Sequence, residues 1–507
     1  MSLLGVDLGS SQCKALAFST DGRPLAAAES VYTPDFPRPG FVEIAPPLLW
    51  KAVQRNVREV AAAVAESDPV EALAISTHGE TFVPVNARGE ALGTAIMNTD
   101  NRALAEAVWF EQQLGKQRIF ALTGTVVHPM FPLPKIVWLK AHDPERFRAT
   151  ARFSSAGDYL LGKMGLPPYI DYSLASRFMA FDIRKKEWSA ELLALADLST
   201  ERLAIPVPAG TVAGRLAGDV AKELNLPEGT LVAVGGHDQP CGALGVGVTT
   251  PGMVSDSLGT YECLVAVGVE PTLGETALSA NLNSYCHVVP EHYITIAFFP
   301  SGIMTKWFVD LLATPESGDT AALYAELERE APPGPTSLCI TPHLIGSCTP
   351  HWDPRATGVI CGLTPSTGRS HLYKGILEGL ACELAINVEI LRELLGPFDT
   401  VRVTGGGTRS VLGLQLRAAL TGARLETLEC REAVCLGAGL LAGVAAGVYA
   451  DMTEAVSATV RLAAVVEPDE RETQAYQPQL QQYRQLYSVL SALREDASGA
   501  EAACCQR

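Results

Sequence analysis

Charge is sparse in this 507-residue chain, and basic charge sparser still. Charged residues make up 19%, with 39 basic against 56 acidic side chains and a formal net charge of −17. Phosphate backbones are bound by clustered Lys and Arg, so this balance excludes an extended nucleic-acid surface. It still leaves room for one small anion in a local pocket. Paired cysteines are missing too: the twelve cysteines form no C-x-x-C motif. Cys13, Cys241, Cys263, Cys286, Cys339, Cys348, Cys361, Cys382, Cys430 and Cys435 stand singly, mostly among apolar neighbours, and Cys504 and Cys505 fall together in the tail. That spacing argues against zinc ribbons and disulfide scaffolds, and for small buried hydrophobes in a reducing compartment. No basic leader precedes the first apolar run, which Asp7 stops. The longest apolar stretch, CLGAGLLAGVAAGVYA (435–450), is too short and too rich in glycine to cross a bilayer and reads as a close-packed core helix. The expectation is a cytoplasmic protein with neither membrane nor nucleic-acid partner. A homodimer is the one assembly kept open.

What is there is an alternation of strands and helices long enough for two large cores or three ordinary ones. The first residues spell strand, turn, strand and hairpin: LLGVDLG, CKALAFS and TDGRPLAAAES, turning at Asp21-Gly22. Apolar residues at helical spacing predict a helix over about 48–66. VEALAIST is a further strand and TFVPVN-ARG-EALG a further hairpin. LVAVGGHDQPCGALGVG (231–247) begins as a buried strand, breaks on two glycines and offers one acid, Asp238. Then the pattern restarts, because GMVSDSLGTYECLVAVG (252–268) is again strand, turn, strand. The turns VDLGSSQCK and SDSLGTYEC share the order acid, short gap, glycine, hydroxyl residue, and each opens a half of similar size. The stretch GVGVTTPG sets a boundary near 245–252. This gives an N-terminal domain over 1–247, a C-terminal domain over 248–455, and an extension over 456–507 with an amphipathic helix (about 470–493) and a frayed tail.

Three turns are suited to a nucleotide. In DLGSSQCK, Gly9 lets the backbone approach a phosphate, Ser10 and Ser11 add hydroxyl donors, and Lys14 adds a point charge. Asp7, ending an apolar strand, is a costly buried charge that a Mg²⁺ reached through water would offset; a capped Asp in a plain hairpin is the alternative. DSLGT supplies a second such turn through Gly259 and Thr260. VRVTGGGTRSVLGLQLRAALTG (401–422) runs from a strand into Gly405, Gly406 and Gly407, with a helix starting near Ser410. Bare glycines can lie flat against a purine, or simply make a tight turn. The run is not G-x-G-x-x-G, and no dinucleotide fingerprint follows. Together the three turns suggest a nucleotide held between two domains.

Taken in order, these stretches resemble the motifs of the FGGY family of carbohydrate kinases, within the superfamily of actin, hexokinase and heat-shock-chaperone ATPases. The likeness covers nearly the whole chain, from Gly5 to about Tyr449. GVDLGSSQCKALAFSTDG and VSDSLGTYE resemble the two phosphate motifs and VTGGGTRSVLGLQLRAALTG the adenosine motif. MFPLPKIVWLK (130–140) and GVICGLTPSTGRSHLYKGILEG (358–379) resemble the two family signatures, with Ala141 and Gly375 at positions usually occupied by other residues. Ser347 and Cys348 replace a Glu-Arg pair usual in the family. The resemblance implies an α/β fold of two actin-like (ribonuclease H-like) domains with a nucleotide and sugar cleft between them. It also implies that Asp238, in Gly236-His237-Asp238, is the catalytic base, with His237 packing or orienting beside it. A sugar hydroxyl is a poor nucleophile at neutral pH, and a carboxylate within hydrogen-bond reach can take its proton as phosphoryl transfer begins.

Sugar contacts are expected from the first half. STHGETF (76–82) ends an apolar strand, the usual place for ligands in an open α/β sheet, and His78, Gly79 and Glu80 are its candidates. Gly79 stands where a glycerol kinase carries Arg, which favours a bulkier sugar. In NTDNRA, Asp100 and Arg102 could bind hydroxyls or pair with each other, and Trp307 could close over the sugar or belong to the core. The expected activity is ATP- and Mg²⁺-dependent phosphorylation of a ketose, first a pentulose such as D-xylulose. The alternatives are another ketose, a polyol, an aldonic acid, or a non-catalytic sugar- and ATP-binding regulator. Loss of the acid at 238 would mark the regulator, and that acid is present.

Overall fold

In the computed structural model, residues 1–313 and 320–504 are described, with side chains described as far as residue 494. Cys505, in the expected tail, lies outside the described residues. Two sheets organise a two-domain α/β fold. The first has Ser2–Leu8 at its centre, antiparallel on one side to Gln12–Phe18, which pairs antiparallel in turn with Pro24–Val31. On the other side Val70–Thr77 and Leu231–Ala233 run parallel to it, and Val212–Arg215 closes the edge antiparallel. The second sheet repeats this plan. Val254–Leu258 is antiparallel to Tyr261–Gly268, which pairs antiparallel in turn with Tyr293–Pro300. On the other side Thr400–Thr404 and Arg424–Leu428 run parallel to it, and Leu462–Val466 ends the sheet antiparallel to Arg424–Leu428. Asn283–Cys286 adds one further strand beside Tyr293–Pro300.

Central strands covered on both faces are apolar nearly throughout, and Ser2–Leu8 is buried at all positions but Asp7. One face of the first sheet buries Leu4, Val6 and Leu8 against Leu49, Val53, Val57 and Val60. These four share a stripe of the helix Pro46–Val64, which starts two residues before the expected position because two prolines preset its first turn. The opposite face packs Leu3, Phe18 and Leu231 against Leu436 and Leu440 of the helix Ala433–Ala445, which comes from the second half of the chain. That helix is apolar all round because it is enclosed, as its composition suggested. Its glycines allow the closeness. A Cβ on Gly437 would sit 1.9 Å from the Cys241 carbonyl oxygen, and one on Gly245 would sit 1.9 Å from that of Ala433. The helices Asp238–Gly245 and Ala433–Ala445 therefore join the two halves backbone to backbone.

TFVPVN-ARG-EALG turns back as a hairpin, closed by the bridge from Val85 to Ala91 and by the Leu92 N–H donating to Pro84 O at 2.8 Å, and Phe82–Val85 pairs along its length with Arg152–Ser155 as well. One expectation is corrected. The last helix does not give way to a frayed tail after 493 but spans Glu470–Cys504. Its buried face is polar: Tyr476 and Gln479 donate to Glu378, and Tyr483 to Glu383, both on the helix Arg369–Leu395.

Candidate active site

The carboxyl ends of three parallel strands converge. Ser2–Leu8 delivers Asp7 and Gly9, Val70–Thr77 delivers His78, Gly79 and Glu80, and Leu231–Ala233 runs on to Gly235, Gly236, His237 and Asp238. Backbone bonds align them: the His78 N–H donates to Leu8 at 3.0 Å, and the Thr77 N–H to Gly236 at 3.0 Å. Gly235 must be glycine, because a Cβ there would fall 1.9 Å from the Ile75 carbonyl oxygen.

Asp238 opens the helix Asp238–Gly245, but its side chain caps nothing, and its Oδ1 has no hydrogen-bond partner. Burial, reinforced by the negative charges of Asp7 and Glu80, pushes its carboxyl up to about 8. Burial likewise raises Asp7 to about 7, against the pull of Lys14, and its Oδ1 is also unpartnered. Two orphaned carboxylate oxygens at one sheet edge are costly unless a ligand supplies their partners. Glu80 adopts a left-handed backbone (φ 59°), unusual for a side-chain-bearing residue. Two buried cations secure that turn. Arg177 pairs through Nε with the Glu80 carboxylate, and Lys135 donates from Nζ to Met97 O at 2.6 Å and to Glu80 O at 3.4 Å. Burial lowers the Lys135 ammonium to about 7.

The second sheet brings two glycine turns to its corresponding edge. Gly259 and Thr260 are exposed between Val254–Leu258 and Tyr261–Gly268, and the Gly302 N–H donates to Gly259 O at 3.0 Å. The triple glycine follows Thr400–Thr404 and lies on Leu258: Cβ atoms on Gly405 and Gly407 would fall 2.6 Å and 2.7 Å from it, while Gly406 faces open space. Beneath these turns the buried Glu262 accepts two bonds from Arg417 and one from Ser301. The two edges are neighbours, since the helix Asp238–Gly245 packs against the strand Tyr261–Gly268.

Residues 2–245 match the N-terminal domain of the FGGY family of carbohydrate kinases, and residues 254–446 its C-terminal domain. The chain belongs to that family. It is 29% identical to a xylulose kinase of Escherichia coli and 27% identical to one of Bacillus subtilis, over 97% and 96% of this chain and 99% and 96% of theirs. A glycerol kinase of Trichlorobacter lovleyi is 29% identical over 89% of this chain and 91% of its own. The crystal structure of a xylulose kinase from Brucella ovis superposes with a TM-score of 0.88 at 26% identity, covering 97% of this chain and all of that one. The protein is thus an ATP-dependent sugar kinase with the two-domain fold that its motifs implied.

In this FGGY kinase some expected site residues are already engaged within the protein. His78 is not free for a sugar, because Nδ1 bonds Leu8 O and Nε2 bonds Thr81 Oγ1. Asp100 and Arg102 pair with each other, with Glu43 as a third member, and Arg102 lies over the Phe41 ring. Lys14 is held by both oxygens of Glu432. Ser410 caps the helix Val411–Thr421 by accepting from the Gly413 N–H. In each case a buried or half-buried polar group found a partner close by in the fold. Ser10, Ser11 and Thr260 remain solvent-facing, and Trp307, 38% exposed, is not a core residue. Arg177 and Lys135 went unselected in the sequence, although each is a lone charge in an apolar run (LASRFMAF and FPLPKIVW), which signals a buried ion with a partner. Tyr285, in NSYCHVV, carries no such signal.

Proposed function

We propose that the protein phosphorylates a pentulose, D-xylulose first, with Asp238 as the general base. The orphaned Oδ1 of Asp238, at an edge flanked by two glycine turns, is the observation that carries this reading. The sugar hydroxyl gives its proton to that oxygen while its own oxygen bonds to the γ-phosphorus and the bond to the ADP oxygen breaks. The domain over 1–247 holds the sugar and the base, the domain over 248–455 holds ATP, and the helix Glu470–Cys504 of the extension buttresses the second. The Gly9–Ser11 turn and Gly259–Thr260 orient phosphates, Gly405–Gly407 seat the purine, and Gly79 and Glu80 face the sugar. Trp307 covers the cleft from the second half.

No group of three or more His, Cys, Asp or Glu among the described residues could enclose a metal ion. A Mg²⁺ arriving with ATP needs only one or two carboxylates, and the unpartnered Asp7 Oδ1 fits that demand. When bound, it neutralises charge on the phosphates. Asp7 would hold it through water, and its elevated proton affinity would fall in the presence of the cation.

Two features support a ketose over glycerol or an aldonic acid. A Cβ at Gly79 would press to 3.0 Å from the His237 ring and 3.1 Å from Arg177, so an arginine there is sterically disfavoured. The cations of these loops, Lys14, Arg102, Lys135 and Arg177, each already have a protein partner, which leaves none committed to a sugar carboxylate. The test is ADP release with Mg·ATP and D-xylulose, D-ribulose, glycerol or D-gluconate. D-Xylulose is expected to lead in kcat/KM by about tenfold or more, the discrimination that well-placed hydroxyl contacts give. Preference for glycerol or gluconate would sink the pentulose reading.

A further inference from the structure

Asp238 is followed on one side by its helix and preceded on the other by a buried histidine whose partners come from both halves of the molecule. The His237 backbone N–H donates to Ser173 Oγ at 2.9 Å, which fixes the residue from the first half. Its ring meets Tyr285, on the strand Asn283–Cys286 of the second sheet, with the phenol oxygen 3.1 Å from Nδ1. On the far side of the ring, Nε2 lies 3.1 Å from Asp238 Oδ1. That contact is off the N–H axis, so Oδ1 keeps a lone pair unspent. Arg177 lies over the Tyr285 ring with its guanidinium carbon 4.6 Å from the centroid, and its other side is tied to Glu80.

The protons of this chain can be placed by elimination. Tyr285 is fully buried, and its hydroxyl has Nδ1 as its one hydrogen-bond partner among the described residues. A buried O–H needs an acceptor, so the phenol donates and Nδ1 carries no proton. Burial, with the positive charge of Arg177 adding to it, holds the imidazole well below the usual histidine range, so the ring is neutral. Its single proton is therefore on Nε2, facing Asp238.

We infer that Tyr285 and His237 are positioning residues for the base: Tyr285, from the second domain, fixes His237 as the Nε2–H tautomer, and the dipole of that N–H, 3.1 Å from Oδ1 but off the hydrogen-bond axis, steadies the Asp238 carboxylate electrostatically while Oδ1 keeps its hydrogen-bonding capacity for the sugar hydroxyl. With the opposite tautomer, a lone pair would face the carboxylate, or Asp238 would hold its own proton and donate it to Nε2; in either case it would be a poorer base. Because the phenol belongs to the second sheet, the relation of the two domains governs the base directly. The inference rests on Asp238 being the base.

Two measurements test it. The first is the ¹⁵N spectrum of histidine-labelled protein with Mg²⁺ and a non-hydrolysable ATP analogue, where His237 is assigned by its disappearance in His237→Gln. A neutral Nε2–H signal is expected at pH above 8, where Asp238 is ionised, and an Nδ1–H tautomer or an imidazolium there would overturn the inference whatever the variants do. The second is Tyr285→Phe, which keeps the ring under Arg177 and removes only the donor. It should lower kcat about tenfold, the scale of one hydrogen bond supporting a charged group, with KM for D-xylulose changed less than about twofold. An unchanged kcat would overturn the inference. His237→Gln, whose amide can still donate, should retain more turnover than His237→Leu, and equal loss in both would count against the donor role. Full turnover in Asp238→Asn would instead remove the base assignment itself, a result independent of the tautomer measured in the wild-type protein.

Discussion

At the carboxyl edge of the first sheet, Asp7 and Asp238 end in oxygens without partners, and both carboxyls are raised toward or above neutrality. At the corresponding edge of the second sheet the exposed groups are glycines and a threonine, and the charges beneath them, Glu262 and Arg417, are matched to one another. The strands run the same way in both. The difference lies in access: the unpartnered acids of the first edge, Asp7 and Asp238, are only partly covered, whereas the unpartnered acid of the second, Asp256, is fully buried. Burial and the Glu262 charge hold the Asp256 carboxyl well above the usual range, and open backbone faces outward above it. On the function proposed above, the first edge carries the chemistry and the second the holding.

Asp238→Asn should separate these roles with the largest effect. Turnover should fall by about 10³, within the range attributed to a general base, while ATP affinity changes less than about threefold. Initial rates of ADP release and calorimetric titration with an ATP analogue measure the two quantities. A parallel collapse of nucleotide affinity would show that the edges are not separable. On the second edge the comparable disruption is structural. Arg417→Met leaves Glu262 buried without its cation and should cost about 3–5 kcal/mol of stability, measured by urea unfolding. A loss below about 1 kcal/mol would mean the pair is not what supports the glycine turns.

Most of this division could be read in the chain. The two acid–glycine–hydroxyl turns, the triple glycine and Gly236-His237-Asp238 are local patterns. Strand alternation carried them to sheet edges, because chain sense and apolar periodicity are properties of short segments. Partnership was not legible in the same way. Lys14 and Glu432 are 418 positions apart, and nothing near either one reveals the other. Asp100 and Arg102 looked equally able to bind a hydroxyl or each other until Glu43 and Phe41 were found to close the cluster. The carboxylates near 378–383 gave no hint that tyrosines from the last helix would satisfy them. Long-range satisfaction of buried polar groups depends on tertiary placement, and single-sequence periodicity does not encode it.

The raised carboxyl of Asp238 also sets a pH signature for the first edge. An unfolded Asp ionises near 3.8, and the folded one near 8. Between those values the folded state binds more protons than the unfolded, so this group's contribution to stability falls as pH rises. Turnover moves in the opposite direction, because the base must be ionised, and should climb through pH 7–8 toward a plateau above. Asp238→Asn cannot ionise, so it should raise the melting temperature by a few degrees at pH 8 and by less at pH 5. Equal shifts at the two pH values would indicate that the carboxylate is not strained in the fold, and the contrast between the two edges would lose its electrostatic basis.

The smallest effect probes the second edge where the fold has least to lose. A Cβ on Gly406 meets no atom within 4 Å, and its backbone does not need the left-handed region. Gly406→Ala should therefore leave stability within about 0.5 kcal/mol of the parent, as for a surface change that breaks no contact. If a purine lies flat on this glycine, the added methyl lifts it, and KM for ATP should rise about three- to tenfold at nearly constant kcat, the signature of lost uniform binding. Gly405→Ala cannot serve as the probe, because it would clash with Leu258 and disturb the turn itself. An unchanged KM for ATP in Gly406→Ala would move the purine off the triple glycine, and the second edge would then be left holding phosphates alone.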